Sequence, residues 1–253
     1  MLKTRVMPCL LLRNAGLVKT VRFKNPAYIG DPINTVRIYN EKEVDELIFL
    51  DITATPEQRR PQFKLVAEIA TECFMPFAYG GGIRSLEDVR MILSLGAEKV
   101  AVNTYAHESP VFVREVADAF GSQSVIVAID VKRGMFGRPQ VYTRCGRRAM
   151  GDDPVDYARR VEELGAGEIL LTSIDRDGTF EGYDLELIGR VTAAVSIPVI
   201  ACGGAGTMED FGRAVKEGGA SAVAAGSMVV YQGKDRGVLV NFPAKSELRR
   251  VLE

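Results

Sequence analysis

One strand–glycine–helix segment occurs twice, half a chain apart, and this repeat limits the possible folds more than any other feature. PFAYGGGIRSLED at 76–88 returns as PVIACGGAGTMED at 198–210. Its neighbours agree: GAEKVAVNT at 96–104 matches GASAVAAGS at 219–227, and ELIFL at 46–50 matches EILLT at 168–172. Around these anchors, short apolar runs alternate with helical patterns, the signature of βαβ units and a parallel sheet. Strands are expected near 5–11, 47–51, 76–80, 99–103, 124–130, 168–173, 198–202 and 221–225. Helices are expected near 32–44, 57–73, 85–95, 109–120, 153–164, 184–195, 207–218 and 243–252. Two four-unit halves that close on each other give an α/β fold, a single (β/α)8 TIM barrel over 1–253, with half-barrels of about 1–120 and 121–253. Two separate open-sheet domains are the alternative.

Charge narrows the partners. Lys and Arg number 32 against 33 Asp and Glu, so no basic field exists to hold nucleic acid or an anionic membrane surface. No apolar run approaches the roughly 20 residues that cross a bilayer, and no signal-peptide pattern opens the chain. Cys9, Cys73, Cys145 and Cys202 are scattered without metal-ligand spacing, which implies a reducing, cytoplasmic setting and neither a metal nor a cofactor. His107 is the single histidine and reads as a solvated loop residue before a helix start. A chain so equipped does not release ammonia from glutamine by its own Cys–His route.

In barrels the chemistry sits where strands end. The run Ile126–Lys132 carries Asp130 to such an end behind nothing but apolar residues. Its counterpart, Met7–Arg13, puts Leu11 where Asp130 falls, so one half has an acid at its tip and the other does not. Asp51, Asp175 and Asp177 also follow strands, and each is either an acid–base group or a loop-fixing acceptor. Lys19 lies on a hairpin expected within 12–31; it is a lid or phosphate contact, or a solvated lysine. A second hairpin is expected within 132–152. Gly81 and Gly82 with Asn103 and Thr104 in one half, and Gly203 and Gly204 with Gly226 and Ser227 in the other, supply close backbone approach and helix-start N–H groups. They imply a ligand with two phosphates, or one elongated phosphorylated ligand. At the opposite ends of the strands stand Arg5, Glu46, Lys99 and Glu168, whose alternating signs suggest an ion-pair ring across the barrel floor.

These motifs together resemble the cyclase subunit of the imidazole glycerol phosphate synthase (HisF) family. FLDITA at 49–54, GGGI at 80–83, VAID at 127–130, GEILLTSIDRDGT at 167–179, GYD at 182–184 and GGAG at 203–206 carry the resemblance, which runs from Met1 to about Ser227. It implies a lyase-type barrel that takes ammonia from a glutaminase (HisH-like) docked on the floor, past a gate at Arg5, Glu46, Lys99 and Glu168, to a phosphorylated ligand at the top. Gly178 joins the phosphate contacts by the same resemblance. Two aspartates act there in the family; one is Asp130, and Leu11 stands at the other. PCLLL at 8–12, GLVKTV at 16–21 and the tail from Tyr231 to Pro243 resemble the divergent HisF copies associated with acetamidino sugars of surface polysaccharide. That likeness implies a further ATP-dependent amidotransferase as ammonia consumer. An ordinary cyclase-lyase of histidine biosynthesis and a non-catalytic scaffold or ammonia conduit are the other readings.

Overall fold

Period-two alternation along each strand builds the molecule. In a computed structural model, which describes residues 4–233 and 237–253, β1 (Arg5–Arg13) sends Val6, Leu10 and Leu12 outward and Met7 and Cys9 inward. The central strands β4 (Leu47–Asp51), β5 (Phe77–Gly80), β6 (Lys99–Val102), β7 (Val125–Arg133), β10 (Glu168–Ser173), β11 (Val199–Cys202) and β12 (Ala222–Ala225) alternate with it. Every neighbouring pair is parallel, in the order β1–β4–β5–β6–β7–β10–β11–β12, and β12 pairs back to β1, so the sheet closes. It is a single (β/α)8 barrel.

Two apolar cores follow. Ile48, Ile126, Leu170 and Ile200 pack with small Ala78, Ala101, Ala128 and Ala222 inside the barrel. A larger shell, including Tyr39, Phe49, Phe77, Tyr79 and Phe211, lies between sheet and helices. Branched residues alternating with alanines fill the interior and leave a packed, narrow axis.

The helices are α1 (Pro32–Glu41), α2 (Phe63–Glu72), α3 (Leu86–Ser94), α4 (Thr104–Glu108), α5 (Val111–Phe120), α6 (Pro154–Glu163), α7 (Leu185–Thr192), α8 (Met208–Lys216) and α9 (Lys245–Leu252). Their starts are chemically marked. Asp31 and Asp153 accept backbone N–H groups of Asn34 and Val155, and each precedes a first-turn proline. Ser85 accepts from the Asp88 N–H at 3.1 Å, and Asp210 accepts from the Thr207 N–H at 2.9 Å.

Three expectations change. The helix expected from residue 57 begins only at Phe63, because 52–58 turns back beneath Asp51 and Pro61 lacks the N–H that would continue a helix through it. The helix expected from 109 is preceded by a separate short one, α4, and Pro110 lies just outside α5. The first long loop is two hairpins, not one: β1 continues past the barrel rim and pairs with β2 (Gly16–Val21), which pairs with β3 (Lys24–Gly30). β7 likewise continues into β8 (Pro139–Thr143) and β9 (Arg148–Ala149). Beyond the barrel, β13 (Tyr231–Gln232) and β14 (Gly237–Val238) form a small ribbon. Met1–Lys3, and Lys234–Arg236 of the tail singled out above, lie outside the described residues. No described helix is long and apolar enough to cross a membrane.

Candidate active site and barrel floor

The same alternation that lines the axis sets what stands at its two ends. Counting inward positions along β7 gives Ile126, Ala128 and then Asp130; along β10 it gives Glu168, Leu170 and Thr172; along β6 it gives Lys99, Ala101 and then Asn103. Each line starts or ends in a polar group and is apolar between.

At the floor, the four charged strand-start residues meet. Arg5 donates to Glu46 at 2.6 Å and to Glu168 at 3.0 Å, and Lys99 donates to each of the same carboxylates at 2.9 Å. Cation and anion alternate around a closed ring. Glu46 is almost wholly buried, with its side chain 4% exposed, and those two donors are its partners there.

At the mouth, a cavity of about 140 Å³ opens above the axis, lined by Leu11, Leu50, Asn103, Asp130, Thr172 and Asp177 among others. Asp130 is at its base, reached from the cavity yet enclosed by protein. Burial, then repulsion from Asp177, pushes its carboxyl up from 3.8 to about 7, against the hydrogen bond from Thr172. Asn103 donates to it at 3.3 Å and to the Ala128 carbonyl at 2.9 Å. Asp130 is therefore poised to hold or give a proton near neutrality.

The remaining candidates separate. Asp51 is a loop-fixing acceptor: it takes hydrogen bonds from Thr53 N, Ala54 N, Arg59 and Gln62 at 2.9–3.1 Å, which leaves it little capacity for anything else. Asp175 faces the outer rim, where it accepts from the Arg133 N–H at 2.8 Å. Asp177 and Asp51 both line the cavity with Asp130, and Asp175 does not. Asp177 accepts from the Thr20 hydroxyl at 3.0 Å, and burial raises its carboxyl.

Lys19 is neither a solvated lysine nor an exposed lid. It is 5% exposed, and its ammonium is tied to the Cys9 carbonyl beside Gly226. Burial pushes it below the usual lysine value. It borders a second recess of about 30 Å³, shared with Gly178, Gly203, Gly204 and Ser227. Gly81, Gly82, Asn103 and Thr104 line the larger cavity instead. Gly81 has φ +118° and Gly203 φ +86°, and an added Cβ would lie 2.5 Å from the Asp51 carbonyl at one and 2.6 Å from the Ser173 carbonyl at the other. The two repeats thus bring glycine-rich turns to opposite sides of one mouth.

His107 departs from the sequence expectation. It lies in α4, largely buried, with Nε2 2.8 Å from Asp152 and its ring 5.6 Å from that of Tyr157. A neighbouring acid far along the chain captures it, and no local pattern announces such a partner. Thr172 was also missed, although the inward count from Glu168 reaches it. Cys9 and Cys202 are both buried and both line the mouth cavity and the recess beside it.

Fold and site define a class: a closed (β/α)8 barrel with an ion-pair floor and a polar, glycine-rimmed mouth. The family model described as histidine biosynthesis protein matches residues 5–236, and the chain belongs to that family. It is 51% identical over 248 residues, 98% of this chain and 99% of the other, to a protein of Pseudomonas aeruginosa provisionally named imidazole glycerol phosphate synthase subunit hisF2. A Vibrio vulnificus protein provisionally named subunit hisF3 is 42% identical over 254 residues, covering 100% of this chain and 98% of its own. Imidazole glycerol phosphate synthase subunit HisF of Alkaliphilus metalliredigens is 49% identical over 231 residues, 91% and 92% of the two chains. The chain is thus a HisF-type subunit.

Proposed function

We propose that this barrel receives ammonia from a partner glutaminase of the HisH type and delivers it along its axis to a phosphorylated ligand or a further acceptor at the mouth. The floor ring carries the proposal. Arg5, Glu46, Lys99 and Glu168 alternate in sign around the axis, and above them the inward residues are apolar. Neutral ammonia crosses such a lining at lower cost than ammonium does, because an unpaired charge is poorly solvated there. A supply from outside suits a chain whose one histidine is held by Asp152.

At the mouth, Asp130 is the acid–base group, with Asp177 and Lys19 as polar support and Asp51 holding the loop. The glycine turns at Gly81–Gly82 and Gly203–Gly204, with Asn103, Thr104, Gly178, Gly226 and Ser227, are the phosphate contacts. Leu11 favours the divergent use over histidine-pathway cyclisation. Where two acids would cooperate, loss of one removes on the order of 10²–10⁴ in rate. We therefore assign the ammonia to amidation or acetamidino modification of a surface-polysaccharide sugar, through an ATP-dependent amidotransferase. The hisF2 and hisF3 names of similar chains fit a second copy with its own task.

The test is to mix the chain with its cognate glutaminase and follow glutamine hydrolysis. Binding with raised turnover is expected; absence of both ends the proposal. The second reading, a cyclase-lyase, draws on Asp177 beside Asp130. Complementation of a strain lacking the cyclase separates the two, and growth would favour the second reading.

A further inference from the structure

The two glycine turns face one mouth, but they are not equal hosts for a phosphate. They differ in how much of each half's polar equipment the protein itself already occupies.

In the first half the polar side chains are taken. The Asn103 amide donates to the Ala128 carbonyl at 2.9 Å and to Asp130 at 3.3 Å. The Thr104 hydroxyl accepts the Arg144 N–H at 3.0 Å and donates to Asn103 at 3.2 Å. The Gly82 N–H donates to the Thr55 hydroxyl at 3.4 Å. Arg144 fixes this arrangement: its guanidinium donates to Glu108 at 2.8 Å and clamps the turn after β8 against α4. Charge is unfavourable there too. Asp51, Glu108 and Asp130 line the cavity, and Arg59 and Arg144 match only the first two. The other cation at the lining, Arg84, is exposed. A phosphate at Gly81–Gly82 would displace hydrogen bonds and lie among carboxylates.

In the second half the donors are open. The recess bordered by Gly178, Gly203, Gly204, Gly226 and Ser227 contains a buried cation. Lys19 is 5% exposed, and its ammonium has one acceptor, the Cys9 carbonyl. Two of its three N–H bonds therefore meet no protein acceptor among the described residues. Nor do the Ser227 hydroxyl and the N–H groups of Gly178, Gly203 and Gly204. Asp177 is the one carboxylate at the recess; the Thr20 hydroxyl holds it at 3.0 Å, and it acts on Lys19 through space. A buried ammonium among unengaged N–H groups is an anion seat, and a phosphate there would relieve the burial of an unpaired charge. The recess opens on the mouth cavity, with Leu11 and Asp177 common to both linings.

We propose that the mouth takes a ligand with a single phosphate, seated on Lys19, Ser227 and the Gly178 and Gly203–Gly204 turns, with an uncharged remainder lying across Leu11 toward Leu50 and Ile52. This rests on the reading of the mouth as a site for a phosphorylated ligand and narrows that ligand from two phosphates to one. Leu11 fits the seat, because a carboxylate at that position would border the recess and repel the phosphate.

The probe is inorganic phosphate, titrated into the full chain carrying isotope-labelled glycine and followed by backbone amide NMR. Gly178, Gly203, Gly204 and Gly226 should shift together along one saturation curve, with Gly81 and Gly82 unmoved. Lys19→Met and Gly226→Ala should each weaken the phosphate at least about 10-fold. Gly226→Ala is mild for the fold: φ there is −105°, and the new methyl would lie 2.5 Å from the flexible end of Lys19 and 3.4 Å from the Cys9 carbonyl. A pentose bisphosphate should bind less than about 3-fold tighter than a pentose monophosphate. Equal shifts in both glycine sets, or a gain of about 10-fold or more from the second phosphate, would overturn the single seat and leave the phosphorylated-ligand reading standing. No shift in either set would remove both. The unmutated titration needs no variant to fold, and glutaminase stimulation reports on the ammonia route separately.

Discussion

Replacing Asp130 by Asn should stabilise the protein at alkaline pH and do little at acid pH. The native carboxyl titrates at about 7, against an ordinary value of 3.8, chiefly because it is desolvated at the base of the mouth. Below about pH 4 it is protonated in both folded and unfolded chains, and its burial costs no ionisation energy. Between about 4 and 7 the unfolded chain releases the proton while the folded chain keeps it, so the folded chain binds more protons and stability falls as pH rises. Above about 7 the loss is complete. At about 1.36 kcal/mol for each unit, the full span is about 4 kcal/mol, a ceiling that water in the cavity lowers toward about 2. Asn keeps the shape and an acceptor for Asn103, and has no charge to bury. Urea unfolding of both proteins from pH 4.5 to 8.5 isolates the effect, because the other titrating groups are shared and largely cancel in the difference. The variant should gain about 2–4 kcal/mol at pH 8 and converge on the parent near pH 4.5. A difference that stays flat across that range would mean that Asp130 ionises like an exposed carboxyl, and the account of the mouth would fail.

Three further outcomes can be checked by the same unfolding measurements or by thermal melts. Glu46→Gln, which leaves Arg5 and Lys99 to share Glu168, should cost about 3 kcal/mol; a cost under 1 would mean that the floor ring is a solvated surface cluster. Gly81→Ala should cost at least about 3 kcal/mol, because φ is +118° and the new methyl would lie 2.5 Å from the Asp51 carbonyl, whereas Gly137→Ala, at φ +73° with nothing within 4 Å, should cost only about 1. Asp31→Ala removes the acceptor of the Asn34 N–H at the start of α1 and should cost about 1 kcal/mol, with no change in mouth chemistry.

The barrel was legible because its signals are local and repeated. Apolar runs such as Val125–Ile129 and the duplicated glycine turns need only their own neighbourhood to be read. The floor ring was legible too, since Arg5, Lys99 and Glu168 each begin a strand, Glu46 stands just before one, and a closed barrel must gather strand starts. What escaped depends on partners distant in sequence. Asp51, Asp175 and Asp177 look alike on paper, yet Arg59 and Gln62 claim the first at the cavity's edge, the Arg133 backbone claims the second outside it, and the third lines the mouth beside Asp130. Lys19 could be read as solvated because its hairpin carries no mark of bending inward. The contact between Arg22 N–H and the Asp177 carbonyl, at 2.8 Å, and that between Thr20 and the Asp177 carboxyl pin the hairpin to the mouth and bury the lysine.

The mouth that results is lopsided, and the lopsidedness follows from one inward column. On β7 the column ends Ala128, Asp130; on β1 it ends Cys9, Leu11. The apolar lining therefore continues to the rim on one side and stops at an acid on the other. Lys19 lies on the apolar side, and Asp177 is the carboxylate that acts on it. Asp130, its carboxyl pushed up to about 7, gives the cavity base one proton that can come and go near neutral pH. An arrangement with two matched acids could take a proton from one side of a ligand and return it on the other. Here the β7 column ends in an acid and the matching β1 column ends in leucine, so the strand ends themselves supply one proton-exchanging group and not two. Such a mouth suits the passage or capture of a small neutral nucleophile better than a reaction that needs acid and base at once.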